Sequence, residues 1–202
     1  MQKTCLPRSF YARDTLDVAR DLIGKVLVRV GPEGRVAGRV VEVEAYIGQD
    51  DPACHAARGR TARNAVMFGP PGFSYVYFIY GMYFCLNVVT EREGFAAAVL
   101  IRAAEPTEGE SIMRRRSPKL QPARLLSGPG RLCRSMAITR EHNGLDLRGD
   151  ALYFEDHSAE PSRVVQTPRI GIRQGRRRLW RFCDPDSKAL SRPVSTISKT
   201  GE

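Results

Sequence analysis

The sequence predicts a single mixed α/β domain of the α+β kind, built around a curved, largely antiparallel sheet with flanking helices. Three observations carry that expectation. Val41-Glu42-Val43-Glu44-Ala45-Tyr46-Ile47 alternates apolar and polar residues with the period of two that a strand requires. Two further β-prone runs, Tyr75–Tyr80 and Phe84–Val89, are separated by a Tyr80-Gly81 turn and followed by the apolar run Phe95–Ala103. The helical signals are short and lie outside this β-rich block. At 202 residues and 42% hydrophobic content, the chain can bury one substantial core.

The elements follow in order. Asp14-Thr15 caps an apolar face of Leu16, Val18, Ala19, Leu22 and Ile23 that Gly24 closes, the pattern of a short helix. Lys25–Val30 and Arg35–Ile47 read as strands joined by Gly31-Pro32-Glu33-Gly34. Residues 48–72, rich in Gly, Pro and Asp and carrying Arg58, Arg60 and Arg63, form an irregular segment of the length usually kept for function. After the aromatic hairpin and the apolar strand come a basic helix near 108–116, a Gly-Pro-Gly turn opening a helix at 128–137, and short β segments near 151–155, 164–172 and 179–183. Residues 1–183 are expected to form one domain, and 184–202, with Pro, Ser and Lys, a loosely ordered tail.

The formal charge is +10, from 32 basic and 22 acidic residues. Only five of the basic residues are lysines (Lys3, Lys25, Lys119, Lys188 and Lys199), leaving 27 arginines. Guanidinium forks pair bidentately with phosphate and stack on rings, which suits nucleic acid. A GC-rich genome would enrich Arg as well, so the net charge and the clusters Arg114–Arg116 and Arg176–Arg178 carry more weight than the ratio. No apolar run has the length of a signal peptide or a membrane span, so the expectation is a soluble, cytoplasmic protein with no membrane partner. Five cysteines without a C-x-x-C pair argue against a disulfide framework and a structural zinc. No metal and no cofactor is expected.

Four of the seven tyrosines, Tyr75, Tyr77, Tyr80 and Tyr83, fall within nine residues. Rings interleaved with arginine are what a groove for exposed bases requires, because each stacked base contributes ~1–3 kcal/mol. A hydrophobic strand that favours Tyr for its β propensity gives the same pattern. On the period-two strand, Glu44 and Tyr46 share the face away from the core. A carboxylate beside a ring suits chemistry on a stacked base, and an ordinary solvent-facing strand is the alternative. His55 lies in the loop that follows, with no carboxylate or second His at metal-ligand spacing. Arg102 ends the buried run Ala96–Ile101 and needs a partner, because an unpaired buried charge is costly. Glu105 would serve as a plain ion pair; Glu44 would make the arginine part of a catalytic site, since a guanidinium favours the ionised form of a neighbouring carboxylate.

Longer motifs add an identity. Val43–Gly48, His55, Thr61-Ala62-Arg63-Asn64, Met67–Gly72, Tyr75–Asn87 and Val99–Pro106 together resemble the alkyladenine (3-methyladenine) DNA glycosylase family over about residues 8–183. Ala62 departs from that pattern where some relatives have proline. The resemblance implies a monofunctional base-excision repair enzyme, a monomer acting on double-stranded DNA. It would flip 3-methyladenine, 7-methylguanine, hypoxanthine or ethenoadenine out of the duplex and hydrolyse the N-glycosidic bond. It gives Glu44 the role of general base for the attacking water, with Arg102 and the backbone carbonyl of Ile170 holding that water. Tyr46 would cover one face of the flipped base, and His55 and Tyr77 the other. Asn87 would line the pocket and reject guanine. Tyr80, with Met82, would sit at the tip of a projecting hairpin and fill the gap left by the base, and Arg60, Thr61, Arg63 and Met67 would lie along the DNA.

Two rivals remain. Leu126-Ser127-Gly128-Pro129-Gly130-Arg131-Leu132 hints at the helix-hairpin-helix glycosylases, whose domain is essentially all helical; the β-rich block from 25 to 103 argues against them. A non-catalytic nucleic-acid-binding module using the Tyr platform is separated from the enzyme only by the work of Glu44. All five lysines lie outside the matched motifs, so water rather than an amine is the expected nucleophile.

Overall fold

The computed structural model describes residues 5–157 and 163–194. One sheet of eight strands organises them. Its strands are β1 (Val26–Gly31), β2 (Gly34–Ile47), β3 (Ser74–Ile79), β4 (Tyr83–Val89), β5 (Ala97–Glu108), β6 (Leu152–Glu155), β7 (Val165–Thr167) and β8 (Arg181–Cys183). The order β3-β4-β5-β2-β1-β6 is antiparallel throughout, and β8, itself paired with β7, joins the far half of β2. The expected α+β domain on an antiparallel sheet is therefore the observed one. Four helices flank it: α1 (Arg8–Tyr11), α2 (Thr15–Leu22), α3 (Glu110–Arg116) and α4 (Pro129–Ser135).

The start of α2 is fixed where the sequence places it. The Asp14 carboxylate accepts the N–H groups of Leu16 and Asp17, a cap that contributes about 1 kcal/mol. Val18, Ala19 and Leu22 are fully buried in the main core, together with Val40, Val43, Ala45, Val99 and Ile101 from β2 and β5.

β2 holds the key irregularity. Its first half pairs with β1 and its residues 42–44 pair with β8, while β5 follows its other edge. Between Val40 and Glu42 the register against β5 gains one residue on β2, and between Glu42 and Val43 it gains one on β5. The extra residues are Val41 and Arg102. Strict alternation, which puts Val41 on the core face with Val43, is corrected here: Val40, Val43 and Ala45 face the main core, whereas Val41 packs on the opposite face with Ala103, Cys183, Ala189 and Leu190. The paired bulges set Glu42 beside Arg102, and bulges commonly re-aim side chains next to active sites.

Residues 184–194 depart from the loose tail that their composition suggests. Asp184 accepts a hydrogen bond from Arg39 at 2.8 Å, Ala189 and Leu190 are buried, and Ser191 is bonded to Glu42. Residues 195–202 lie outside the described residues. No described helix is long and apolar enough to cross a membrane.

Candidate active site

Four strands, two loops and the start of α4 converge on a cavity of about 370 Å³. Tyr46 from β2, Tyr75 and Tyr77 from β3, Asn87 from β4, Arg102 from β5 and His55 from the irregular loop all line it. This volume and aromatic lining are typical of a site for a flat, largely apolar ring. The residues that the sequence nominates as a base pocket, Tyr46, His55, Tyr77 and Asn87, are thus brought together.

Glu44 is fully buried, not solvent-facing, and its three hydrogen-bond partners, Tyr46, Arg102 and Ile170, all line the cavity. Tyr46 Oη donates to its Oε2 at 2.8 Å, and Arg102 Nη1 donates to the same oxygen at 3.2 Å. The other oxygen accepts the backbone N–H of Ile170 at 2.6 Å. It is the N–H of Ile170, rather than its carbonyl, that contacts this carboxylate. Glu105 is taken by Arg39, so the partner of Arg102 is the glutamate pair on β2.

Arg102 serves both glutamates. Its Nε donates to Glu42 Oε1 at 2.9 Å, and its Nη2 to Ser191 Oγ at 3.2 Å. Glu42 is also fully buried and accepts Arg181 Nε at 2.8 Å, Ser191 Oγ at 2.7 Å and the Ser191 N–H at 2.6 Å. Burial pushes the Glu42 carboxyl up, but Arg102 and Arg181 beside it outweigh that and hold it below the usual range. Burial alone would lower Arg102; Glu44 and Glu42 more than offset this and raise it.

The rear of the Tyr46 wall is a second ion pair. Arg169 stacks over the Tyr46 ring at 4.6 Å and over Trp180 at 5.0 Å, and it forks onto Asp51 at 2.5 and 2.7 Å. Both side chains are fully buried. Because Arg169 precedes Ile170, the same clamp holds the strap whose amide reaches Glu44.

On the opposite wall, His55 Nδ1 and the Tyr75 hydroxyl are hydrogen-bonded at 2.9 Å, and the His55 ring meets Tyr77 edge-on at 4.6 Å. Burial, followed by the nearby Arg63 charge, lowers the His55 pKa below 6.5. Burial also raises the Tyr46 and Tyr77 hydroxyls well above the tyrosine range, so both remain proton donors. Asn87 donates its amide to the Tyr75 carbonyl at 3.1 Å, which fixes the orientation it presents to the cavity.

At the hairpin tip Tyr80 and Met82 are 79% and 65% exposed, the most exposed large apolar side chains of the described residues. Tyr80 has φ 53° and Gly81 φ 68°, the doubly left-handed turn that matches strand twist. Arg63 lies over the Tyr77 ring at 5.2 Å and Arg60 over Phe68 at 5.8 Å. The Thr61 N–H donates to Asn64 at 2.6 Å. Met67 differs from the surface position expected for it: it is 2% exposed, because the 3-10 turn Ala65–Phe68 aims it inward to the cavity wall. Among the described residues no three His, Cys, Asp or Glu side chains are placed to hold a metal ion.

Tyr75, Asp51, Arg169, Arg181, Ser191 and Glu42 belong to this constellation and were not singled out as site residues by the sequence. For Glu42 the shared alternation with Glu44 was a usable signal. For Ser191 and Arg181 there was none, since their role depends on long-range pairing.

The profile of the methylpurine-DNA glycosylase family matches residues 9–188. Three relatives, from Methanocella arvoryzae, Wolbachia pipientis of Culex pipiens and Clostridium acetobutylicum, carry the provisional name 3-methyladenine DNA glycosylase. They are 56%, 52% and 45% identical to this chain over 93%, 90% and 92% of its length, and 96%, 91% and 97% of their own. An aromatic cavity with a buried carboxylate bonded to its wall fits what those matches imply. The chain belongs to the methylpurine-DNA glycosylase family, and it is a DNA glycosylase, a hydrolase of DNA repair that takes DNA as substrate.

Proposed function

We propose that the enzyme flips an alkylated or deaminated purine out of duplex DNA into the aromatic cavity and hydrolyses its N-glycosidic bond with Glu44 as general base. The observation that carries this reading is the placement of Glu44, buried against the cavity wall with three donors from that wall orienting it and one of them cationic. In the reaction water attacks C1′ and gives its proton to the carboxylate. The base leaves with the electron pair of the glycosidic bond, and an abasic sugar remains. The transition state is oxocarbenium-like, so a carboxylate beneath the sugar also stabilises developing positive charge.

Alkylation at N3 or N7 makes the purine a cationic leaving group that needs no proton. Tyr46, His55 and Tyr77 sandwich the base, and Tyr80 with Met82 replaces it in the stack. Stacking at ~1–3 kcal/mol per ring offsets the few kcal/mol that extrusion costs. Arg63, over the Tyr77 ring, and Arg60, over Phe68, meet the backbone. No lysine lines the cavity, which supports water over an amine nucleophile.

Glu44→Gln tests the mechanism. The variant should keep its affinity for duplexes containing 7-methylguanine or ethenoadenine and lose base release by ~10³-fold or more in single-turnover assays. Unchanged release would remove Glu44 from the chemistry and leave the site a binding platform.

A further inference from the structure

A second cavity, of about 320 Å³, adjoins the base cavity at Arg102. The two share Tyr83, Arg102, Pro129, Gly130 and Ile170 as common walls. Three further arginines line the second: Arg124, Arg131 and Arg192. None of the three has a carboxylate within 4.0 Å among the described residues. Arg124 and Arg131 donate only to backbone carbonyls, those of Leu190 at 3.4 Å and Ser127 at 3.3 Å. Arg35, Arg39, Arg116 and Arg169, by contrast, are paired with acids. Three guanidinium groups without acidic partners around one concavity make a site for an anion.

The order of features along the two cavities identifies that anion. Aromatic rings for a base line the first cavity, Arg102, which bonds Glu44, stands in the wall common to both, and the arginines line the second. A nucleotide has its parts in the same order: base, sugar, phosphate. The Gly128-Pro129-Gly130 turn shapes the passage, because a Cβ at Gly130 would stand 2.9 Å from the Tyr83 ring. The Gly-Pro-Gly turn thus walls both cavities through Pro129 and Gly130. The Arg192 carbonyl accepts Arg181 Nη2 at 2.6 Å, which ties the strap carrying Arg192 to the buried ion network.

We propose that Arg124, Arg131 and Arg192 form a seat for the phosphodiester that flanks the extruded nucleotide. The proposal rests on the flipping reading above. In the seat the phosphate is gripped only after extrusion, so these arginines favour the flipped state over the stacked one. They are binding residues for a damaged or abasic nucleotide, not a general DNA-facing surface.

The test compares two duplexes, one undamaged and one carrying a tetrahydrofuran abasic-site analogue, across a salt series. Each phosphate deprived of its guanidinium partner should flatten the slope of log K against log salt by about 0.9. Arg124→Gln/Arg131→Gln should flatten the slope by about 1 or more and weaken abasic-duplex binding about 10-fold or more, while undamaged-duplex binding changes less than about 3-fold. Arg124→Lys/Arg131→Lys, which keeps the charge, should restore most of the slope. An unchanged slope, or equal weakening on both duplexes, overturns the seat. Failure of the flipping reading is read separately, as absence of base release by the wild-type enzyme.

Discussion

The backbone amide of Ile170 donates to Oε1 of Glu44 at 2.6 Å across 126 positions of sequence. That bond joins β2 to a strap with no regular secondary structure, so the aim of Glu44 depends on whatever holds the strap. The holder is Arg169, locked by Asp51, the Ala45 carbonyl and the Tyr46 ring.

Asp51→Asn should therefore be among the most damaging single changes away from the hydrophobic core. It leaves the Arg169 charge buried with a neutral partner, and removing one member of a buried pair costs about 3–5 kcal/mol. Urea denaturation should give a loss in that range. A loss under about 1 kcal/mol would mean that the strap holds without the pair.

Ser191 should matter to rate more than to binding. Its hydroxyl sits between Glu42 at 2.7 Å and Arg102 at 3.2 Å, so it fixes the guanidinium that reaches Glu44. Ser191→Ala should cost about 1.5–3 kcal/mol of stability, as hydrogen bonds to charged groups do. It should slow single-turnover base release about 10-fold at saturating enzyme, with DNA affinity unchanged, and Ser191→Thr should recover most of the rate. That is the behaviour of a positioning residue: a rise of about 1.4 kcal/mol in barrier is tenfold in rate. If both variants lose stability and neither loses rate, Ser191 is structural only.

The strands carrying the site were legible because their chemistry is local. The alternation 41–47, the Tyr80-Gly81 turn and the apolar run before Arg102 each specify an element without help from the rest of the chain. The pocket residues Tyr46, His55, Tyr77 and Asn87 lie in motifs that, taken together, carry the family resemblance. What escaped depends on partners. Which residue of a strand is extra is decided by the neighbouring strand, so the bulges at Val41 and Arg102 have no signature in either segment alone. Residues 184–194 read as polar and loose, and they are anchored because Ala189 and Leu190 find the apolar patch that the Val41 bulge turns outward. Asp51, Arg169, Arg181 and Ser191 lie 118, 139 or 149 positions from their partners, beyond any pattern of local spacing.

His55 gives a pH signature. Its folded-state pKa is lowered from 6.5, first by burial and then by Arg63. A depressed histidine binds fewer protons folded than unfolded, so stability that is intact above pH 6.5 is lost as pH falls through 6.5 towards the folded value. His55→Gln lacks that titration. The wild-type minus variant difference in unfolding free energy should decline between about pH 7 and pH 5, since carboxylates and His142 are common to both proteins. A flat difference would place His55 in an environment as polar as water.

Tyr80 is where fold and function pull apart. A non-glycine residue at φ 53° carries strain of about 1–2 kcal/mol, and at 79% exposure the ring recovers almost nothing by packing. Glycine removes that strain, although it also adds freedom to the unfolded chain. Tyr80→Gly should hence leave stability within about 1 kcal/mol of wild type, or raise it. Tyr80→Ala keeps the strain and should be slightly less stable than Tyr80→Gly. Both should weaken binding to a lesion in duplex DNA by about 1–3 kcal/mol, the value of one stacked ring. Binding to the same lesion in a single strand should change much less, because there is no gap in a duplex for Tyr80 to fill. Thermal melts with fluorescence anisotropy on the two substrates separate the effects. Equal weakening on duplex and single strand would make Tyr80 a general stacking contact, and a large loss of stability would give the exposed ring a structural reason to be there.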